Sequence, residues 1–274
     1  HGLGNRLHSF MLTNHFLVQL VFQLPFVARL GLLVRPTCVR EDEGVRRIGK
    51  LMVPALFGVS VSQINLLLDT LLASFLESGS VSWLYYSDRL NNLPLGIFAI
   101  AIGVVILPSL SGKHAANDGE AFSRTLDWAV RMGFLLALPA ALALVVLATP
   151  LMSTIFYHGE ITAYDIGKMT LSLQAYGSGL LAFMLIKVLA PGYYARQDTR
   201  TPVKIGIQAM VVNMLLNLAL VFPLQHVGLA LATSLSAYYN VFMLYRGLRK
   251  TGAYRHQPGW LMFIAKLLLA NLAL

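Results

Sequence analysis

The chain has 274 residues, of which 57% are hydrophobic and only 12% are charged, with a formal net charge of +9. Soluble domains carry about 25% charged residues, so this composition excludes an ordinary soluble enzyme or binding domain. The positive charges stand at the ends of apolar blocks rather than in one continuous patch, which argues against nucleic acid as a partner. The composition therefore indicates a membrane protein.

Apolar blocks of about 20 residues predict transmembrane helices. In chain order, the predicted spans are residues 10–34, 48–76, 81–110, 128–156, 164–190, 203–222 and 227–246, with an eighth that begins near residue 259. The predicted fold class is all-α, a polytopic transmembrane helical bundle. Because the sequence starts at His1 and stops inside an apolar block, we expect a portion of a longer protein.

The connections between these spans alternate in charge. Sixteen of the 21 lysines and arginines flank the first, third, fifth and seventh connections, whereas the second, fourth and sixth contain neither residue type. By the positive-inside rule the basic connections are cytoplasmic, so the first span runs inward. The first basic connection, residues 35–47, is also compatible with a short interfacial helix.

A polar stretch, YYSDRLNNLPLG at residues 85–96, interrupts the third apolar block. Arg89 lies eight residues after Val81, about 12 Å below the outer end of a helix that rises ~1.5 Å per residue. Since an arginine near the midplane costs roughly 2.5–3.5 kcal/mol to insert, we expect it to face protein or water. Its neighbours at helical spacing are Ser82, Tyr85, Tyr86, Asn92, Leu93 and Gly96, and all but Leu93 are polar, aromatic or small. This face predicts a cavity wall, and Pro94 predicts a disruption just beyond it.

Asp69 lies in the preceding span, ten residues before Gly79, just as Arg89 lies ten residues after it. A tight hairpin places the two side chains at similar depth, and two interpretations remain open. In the first, they form a buried ion pair that fixes the hairpin. In the second, Arg89 faces an anionic substrate and Asp69 faces a coupling cation.

Further oxygen donors occur in the sixth and seventh spans. Asn213 and Asn217 are spaced i and i+4, and Thr233 lies at a comparable depth in the span that follows. With Asp69 they are the kind of ligands that Na⁺ accepts, provided that backbone carbonyls complete its shell. Ordinary hydrogen bonding between helices accounts for the same residues equally well. The sequence contains no nucleophile elbow or phosphate-binding loop, so enzyme chemistry has little support.

Two strings, VSWLYYSDRLNNLPLGIFAIAIGVVILPSLS and KVLAPGYYARQDTRTPVKI, closely resemble the MurJ (MviN) family of lipid II flippases in the MOP exporter superfamily. The resemblance covers nearly the whole chain and implies a MATE-like transporter with two lobes around a central cavity. It assigns residues 1–34 to the last helix of the first lobe and residues 35–47 to a cytoplasmic connection. Residues 48–250 then form the six-helix second lobe, and residues 251–274 start the next helix.

The resemblance also implies roles for the candidate site residues. Arg89 matches the cavity arginine that the family uses for the lipid II headgroup and diphosphate, and Ser82 matches a serine facing the same cavity. Tyr86 and Asn92 lie on the same predicted wall and complete the candidate substrate site.

A sodium site is implied by the same resemblance. The positions that match the site of sodium-binding family members are Asp69, Asn213, Asn217 and Thr233. Some members have a carboxylate where this chain has Asn217, so the site here carries less negative charge.

The implied function is the movement of lipid II from the cytoplasmic to the periplasmic leaflet of the bacterial inner membrane by alternating access. The expected partners are lipid II and membrane lipids, the complete protein is expected to be a monomer, and Na⁺ is the one candidate coupling ion. Two other hypotheses stay open: another MOP exporter, for drugs or polyprenyl-linked oligosaccharides, and a membrane scaffold without transport.

Overall fold

The computed structural model describes residue 18, residues 21–31 and residues 43–272 of the chain. These residues form helices and turns, and no strand occurs among them. The chain divides into two compact units, residues 1–48 and 49–274. In the first unit, residues 21–29 are helical, and the rings of Phe22 and Phe26 lie 5.5 Å apart. Most of the predicted first connection, residues 35–42, lies outside the described residues.

The described helices confirm the predicted polytopic bundle. In chain order they are α1 Glu43–Ser74, α2 Ser80–Pro94, a π-helical turn Leu95–Ala99, α3 Ile100–Ala115, α4 Gly119–Val146, α5 Ala148–Phe156, α6 Ala163–Tyr194, α7 Arg200–Lys250 and α8 Trp260–Leu272. Within the described part, four segments are long and apolar enough to cross a membrane: Ser80–Ala115, Gly119–Val146, Ala163–Tyr194 and Arg200–Lys250.

The disruption predicted at Pro94 takes the form of a π-helical turn. Proline has no N–H to donate, so the carbonyl of Leu90 loses its ordinary helical partner. The next five residues, Leu95–Ala99, adopt π geometry before α3 begins. A π turn inside an α-helix accommodates an altered hydrogen-bond register without ending the helix. The segment from α2 to α3 is therefore continuous, but its two parts differ in phase.

The predicted start of the span at residues 128–156 is wrong. Its helix, α4, begins nine residues earlier, at Gly119, because Asp118 caps it. The Asp118 Oδ1 atom accepts a hydrogen bond from the backbone N–H of Ala121 at 2.8 Å. A side-chain acceptor at this position satisfies a donor that the first helical turn leaves free, so the polar sequence before residue 128 becomes helical.

Two helices are interrupted where the backbone cannot continue. The predicted span of α4 breaks after Val146, because Pro150 in the first turn of α5 has no N–H for the Val146 carbonyl. α7 reverses at Gln225, whose φ of 50° and ψ of −131° lie outside the helical region. Gly228 permits the close return of the chain, since a Cβ there would lie 2.7 Å from the carbonyl carbon of Leu220. The two separate spans predicted here are confirmed as the two halves of α7.

α6 is the central helix of the second unit. Most of its side chains are buried, whereas the other three long apolar segments present most of their surface outward. Lipid tails are as apolar as leucine side chains, so an outward apolar surface is compatible with contact with lipid. The largest core cluster joins α6 to α3, α4 and α7 and includes Ile106, Leu126, Leu189, Tyr193 and Leu248.

α6 and α7 approach closely at a pair of small residues. A Cβ at Gly179 would lie 2.6 Å from the Cβ of Ser234 and 2.9 Å from its Cα, so only glycine fits without separating the helices. The Ser234 hydroxyl donates to the carbonyl of Ala175 at 2.8 Å. Near the other end of the same pair of helices, the Tyr193 hydroxyl donates to the carbonyl of Leu244 at 2.7 Å. Small residues and hydroxyl groups are the usual means of close helix packing in membranes.

A buried carboxylate attaches the segment after α7 to α4. Asp127 Oδ1 accepts hydrogen bonds from the Tyr254 hydroxyl and from the Trp260 indole N–H, each at 2.8 Å. Asp127 Oδ2 pairs with Arg131 Nε at 2.8 Å. Burial, together with the bond to Asp127, raises the pKa of the Tyr254 hydroxyl, which stays protonated and acts as a donor. These contacts fix where α8 begins.

At the other end of the bundle, Glu77 connects the α1–α2 turn to α6. It accepts a hydrogen bond from the Tyr164 hydroxyl at 2.7 Å and pairs with Lys168 Nζ at 3.1 Å. The hydrogen bond from Tyr164 has the largest effect, and together with the bond from Lys168 it lowers the pKa of the Glu77 carboxyl. This end contains the connections that the charge pattern predicts to be periplasmic.

We expect Gly179→Ala to lower the melting temperature of the purified protein, because the added methyl forces α6 and α7 apart at a backbone contact. Overpacking of this kind costs about 1–3 kcal/mol. Gly167→Ala is the matched control on the same helix, since nothing lies within 4 Å of a Cβ there. Equal melting temperatures of the two variants would contradict the close approach.

Candidate functional site

α2 has one buried face and one open face. Its buried side chains are Ser80, Trp83, Leu84, Ser87, Leu90 and Asn91. Two of them attach the helix to α6: the Trp83 indole donates to Asp165 Oδ1 at 2.8 Å, and the Ser87 hydroxyl donates to the Met169 carbonyl at 2.9 Å. These bonds set the rotation of α2 and so determine which residues face away from the lobe.

The open face of α2 carries the predicted substrate arginine. Arg89, Ser82 and Asn92 are exposed on it. The Arg89 guanidinium lies 4.9 Å from the ring centroid of Tyr85, one turn earlier, which is within the range of a cation–π contact. The predicted polar face is therefore present, and its arginine is held by an aromatic ring.

Arg89 has no carboxylate partner among the described residues. The ion pairs there are Arg124–Glu120, Arg131–Asp127 and Lys168–Glu77. The alternative in which Arg89 and Asp69 form a buried ion pair is therefore wrong, because the Asp69 carboxylate is occupied by asparagine amides instead. The guanidinium keeps its planar set of N–H donors for an external anion.

Tyr86 and Asp88 lie at the margin of the open face. Tyr86 is half-buried, with its ring 4.9 Å from that of Phe156, so it packs against the lobe more than the sequence indicates. Asp88 is also half-buried and accepts a hydrogen bond from the Asn92 side-chain amide at 2.8 Å. That bond fixes Asn92 one turn beyond Arg89. The roles of Ser82, Tyr86, Arg89 and Asn92 in substrate binding stay predictions.

The four residues of the predicted sodium site form one hydrogen-bonded chain. The Asn217 amide donates to Asp69 Oδ1 at 2.6 Å and to Asn213 Oδ1 at 3.1 Å. The Asn213 amide in turn donates to the Thr233 hydroxyl oxygen at 3.3 Å, and that hydroxyl donates to the Leu229 carbonyl at 3.0 Å. The network joins α1 to both halves of α7.

Asn65 is a fifth member of this network that the sequence reasoning did not include. Its side-chain amide donates to Asp69 Oδ2 at 3.2 Å. The signal was available, because Asn65 and Asp69 are spaced i and i+4 on α1 and therefore share a helix face. Both carboxylate oxygens of Asp69 thus accept from an asparagine.

The network also contains acceptor atoms without partners. Asn213 and Asn217 are 1% and 0% exposed. The Oδ1 atoms of Asn217 and Asn65 are buried and accept no hydrogen bond. An unpaired buried carbonyl oxygen costs about 1–3 kcal/mol, so these two atoms favour a donor or a cation. A cavity of about 860 Å³ reaches the network at Asn65, Asn213 and Thr233.

Removal of the central amide of this network is expected to destabilise the protein. Asn217→Ala leaves Asp69 without its 2.6 Å donor, at a cost of about 1–3 kcal/mol, and lowers the melting temperature. Asn92→Ala is the control, since it removes an exposed amide that also donates to a carboxylate, that of Asp88. If Asn92→Ala lowered the melting temperature as much, burial of the network would not explain its importance.

Comparison with known proteins gives a consistent result. Residues 8–274 match the family model described as lipid II flippase MurJ. The chain is 54% identical over 264 residues to the probable lipid II flippase MurJ of Haemophilus influenzae, covering 94% of this chain and 52% of that protein. It is 55% identical over 255 residues to the probable lipid II flippase MurJ of Vibrio cholerae, covering 93% and 49%. The chain spans about half the length of these curated relatives.

Solved structures support the same fold. A lipid II flippase MurJ in an inward closed conformation aligns with a TM-score of 0.68 at 24% identity, covering 91% of this chain and 58% of that chain. An outward-facing multidrug resistance MATE transporter of the MOP superfamily aligns with a TM-score of 0.68 at 15% identity, covering 82% and 51%. At these identities the two structures establish the fold alone, and they confirm the predicted MATE-like helical bundle.

Proposed function

We propose, because this chain belongs to the lipid II flippase MurJ family, that the complete protein moves lipid II from the cytoplasmic to the periplasmic leaflet. The chain is part of a multi-pass protein of the bacterial inner membrane, as its relatives and its four membrane-length helices indicate. Its relatives carry the name of a transporter, not of an enzyme. The whole cycle belongs to the complete protein, and this chain supplies one wall of the cavity.

The observation that supports the proposal is the state of Arg89. It is exposed on the open face of α2, has no carboxylate partner in the described part of the chain, and is held by Tyr85 at 4.9 Å. A guanidinium presents N–H donors in a plane that matches two phosphate oxygens. The diphosphate of lipid II is therefore the group that Arg89 attracts, and the Ser82 hydroxyl offers it a neutral hydrogen bond. Asn92, whose amide donates to Asp88, offers its carbonyl oxygen to donor groups of the headgroup. The half-buried Tyr86 supports this face from its margin.

Movement of the substrate requires that the cavity open to each side in turn. We propose that alternating access is achieved by motion of two lobes around Arg89. Within this chain, α2 is attached to α6 by the bonds of Trp83 and Ser87, so Arg89 moves together with the lobe core. The complete protein is proposed to act as a monomer, with lipid II and the surrounding lipids as its partners.

Two other functions remain distinguishable by experiment. A MOP exporter for drugs or polyprenyl-linked oligosaccharides shares the fold, as the MATE alignment illustrates, but the high identity to MurJ proteins favours lipid II. A membrane scaffold without transport leaves Arg89 with a structural role only. Complementation of a strain depleted of its lipid II flippase distinguishes the lipid II flippase from both rivals, since neither of them restores growth.

Arg89→Ala in the complete protein is expected to reduce lipid II translocation at least about tenfold, because a charge-assisted hydrogen bond contributes about 1.5–3 kcal/mol. Arg89→Lys retains the charge without the planar set of donors, so its translocation rate should lie between those of the unmodified protein and Arg89→Ala. Arg124→Ala, which removes an exposed arginine paired with Glu120, is the control. Membrane levels of each variant are measured alongside translocation. Undiminished translocation by Arg89→Ala would overturn the role of this residue.

We also propose that Na⁺ binds among Asp69, Asn213, Asn217 and Thr233. The residues fit a cation in that Asp69 brings one negative charge, and Asn217 and Asn65 each have a buried oxygen without a hydrogen-bond partner. A bound Na⁺ supplies a positive charge opposite Asp69 and accepts hard oxygen ligands. Without a bound cation, the side-chain amides of Asn217 and Asn65 donate hydrogen bonds to the Asp69 carboxylate. The negative charge of Asp69 is therefore not left without a partner inside the bundle.

The cation proposal predicts ion-specific stabilisation. The melting temperature of the complete protein is expected to be higher in NaCl than in KCl of equal ionic strength. Asp69→Asn should abolish the difference, whereas Asn217→Asp, which adds a carboxylate, should lower the Na⁺ concentration at half-maximal effect. Identical melting in the two salts for the unmodified protein would show that the network binds no sodium.

A further inference from the structure

A second polar cavity lies at the basic end of the lobe, away from Arg89 and from the asparagine network. Its volume is about 240 Å³. Four separate chain segments enclose it: the end of α3, the start of α4, Arg196 just after α6, and the residues that follow α7. Its lining residues with polar or charged side chains are Lys113, His114, Asn117, Asp118, Arg196 and Thr251.

Two sharp turns build the rim of this cavity. Asn117, with φ of 56°, ends the turn after α3, and Gly252, with φ of 71°, ends the turn after α7. Backbone bonds from Asp118 N to the Lys113 carbonyl and from Gly252 N to the Arg249 carbonyl, each 3.0 Å, close these turns. The rim is therefore made of hydrogen-bonded backbone, which keeps its shape without a ligand.

The two main cations of the cavity have neutral partners. Lys113 Nζ donates to the Ser109 hydroxyl at 2.8 Å, and Arg196 Nη1 donates to the Thr251 hydroxyl at 2.9 Å. Both residues are half-buried, and neither takes part in an ion pair of the described residues. Asp118, the one carboxylate in the lining, is engaged as the cap of α4. The lining thus holds two cations, Lys113 and Arg196, against one carboxylate, which leaves an excess of positive charge in the cavity.

The positions of the cations have a simpler partial explanation. Lys113 lies in the last turn of α3 and Arg196 just after α6, where the negative end of a helix dipole stabilises a cation by about 0.3–1 kcal/mol. That interaction explains why positive charge is tolerated there. It does not require a cavity between the two side chains, nor donors directed at neutral hydroxyls.

We propose that this cavity binds the phosphate group of an anionic phospholipid of the cytoplasmic leaflet. The charge pattern of the sequence predicts that this end of the lobe faces the cytoplasm, where basic pockets between transmembrane helices bind lipid headgroups. Lys113 offers a point charge and Arg196 a planar group of donors, two complementary ways to bind phosphate oxygens. Phe122 forms the apolar part of the lining, and the exposed His114 contacts its ring. The site lies outside the substrate cavity and is independent of the role of Arg89.

The experiment uses the complete protein in nanodiscs of phosphatidylcholine alone or with phosphatidylglycerol. Phosphatidylglycerol is expected to raise the melting temperature, and the variant Lys113→Ala with Arg196→Ala is expected to lose that increase. The matched control is Arg124→Ala with Lys250→Ala, which removes two exposed cations at the same end but outside the cavity lining. Native mass spectrometry of the same samples counts the phosphatidylglycerol molecules that remain bound.

The outcomes separate a lipid site from its rivals. Loss of the lipid effect in the cavity variant, with the control variant unchanged, supports the proposal. Equal loss in both variants would overturn it, because general surface charge would then attract the lipid. A melting temperature that falls by the same amount in both kinds of nanodisc, with lipid counts unchanged, would overturn it in favour of a helix-dipole role. Stabilisation by inorganic phosphate in phosphatidylcholine, with no effect of phosphatidylglycerol, would overturn the lipid source and identify free phosphate.

Discussion

The hydrogen bond from the Asn217 amide to Asp69 is the contact that fixes α1, and with it the start of α2, against the hairpin of α7. At 2.6 Å it joins α1, the helix before α2, to the hairpin of α7 near the other end of the chain. A carboxylate inside a membrane bundle is tolerated only with partners, and here asparagines supply them on both oxygens. Because α1 and α2 are consecutive, the same bond limits where α2 can lie relative to the core.

Two groups of cations in the described part of the lobe differ in their partners. Arg124, Arg131 and Lys168 each pair with a carboxylate, and each of these pairs has a local structural role. Arg89, Lys113, Arg196 and Arg249 contact a ring or a hydroxyl instead. Both anion sites proposed above use cations of the second group. Its members lie in two places, the open face of α2 and the basic end.

Much of this arrangement was accessible from the sequence, and the reasons for the failures are physical. Apolar block length predicted the helices, and i, i+4 spacing placed Asn213 and Asn217 on one face, because both depend only on helical geometry. The early start of α4 was missed because Asp118 caps a polar stretch that hydropathy alone does not identify as helical. The ion pair of Asp69 with Arg89 was left open because depth can be read from sequence but rotation about the helix axis cannot. That rotation is set by Trp83 and Ser87 through contacts with α6.

The π-helical turn after Pro94 limits how far the open face of α2 extends along the helix. In an α-helix each residue advances about 100° around the axis, so one additional residue in a turn shifts the angular phase of everything that follows. Spacings counted from Arg89 therefore hold as far as Asn92 and not beyond Leu95–Ala99. In the first turns past it the most exposed side chains are apolar, as at Ile100, Val104 and Val105. One displaced hydrogen-bond register thus divides the segment into a polar half that can face an aqueous cavity and an apolar half suited to lipid.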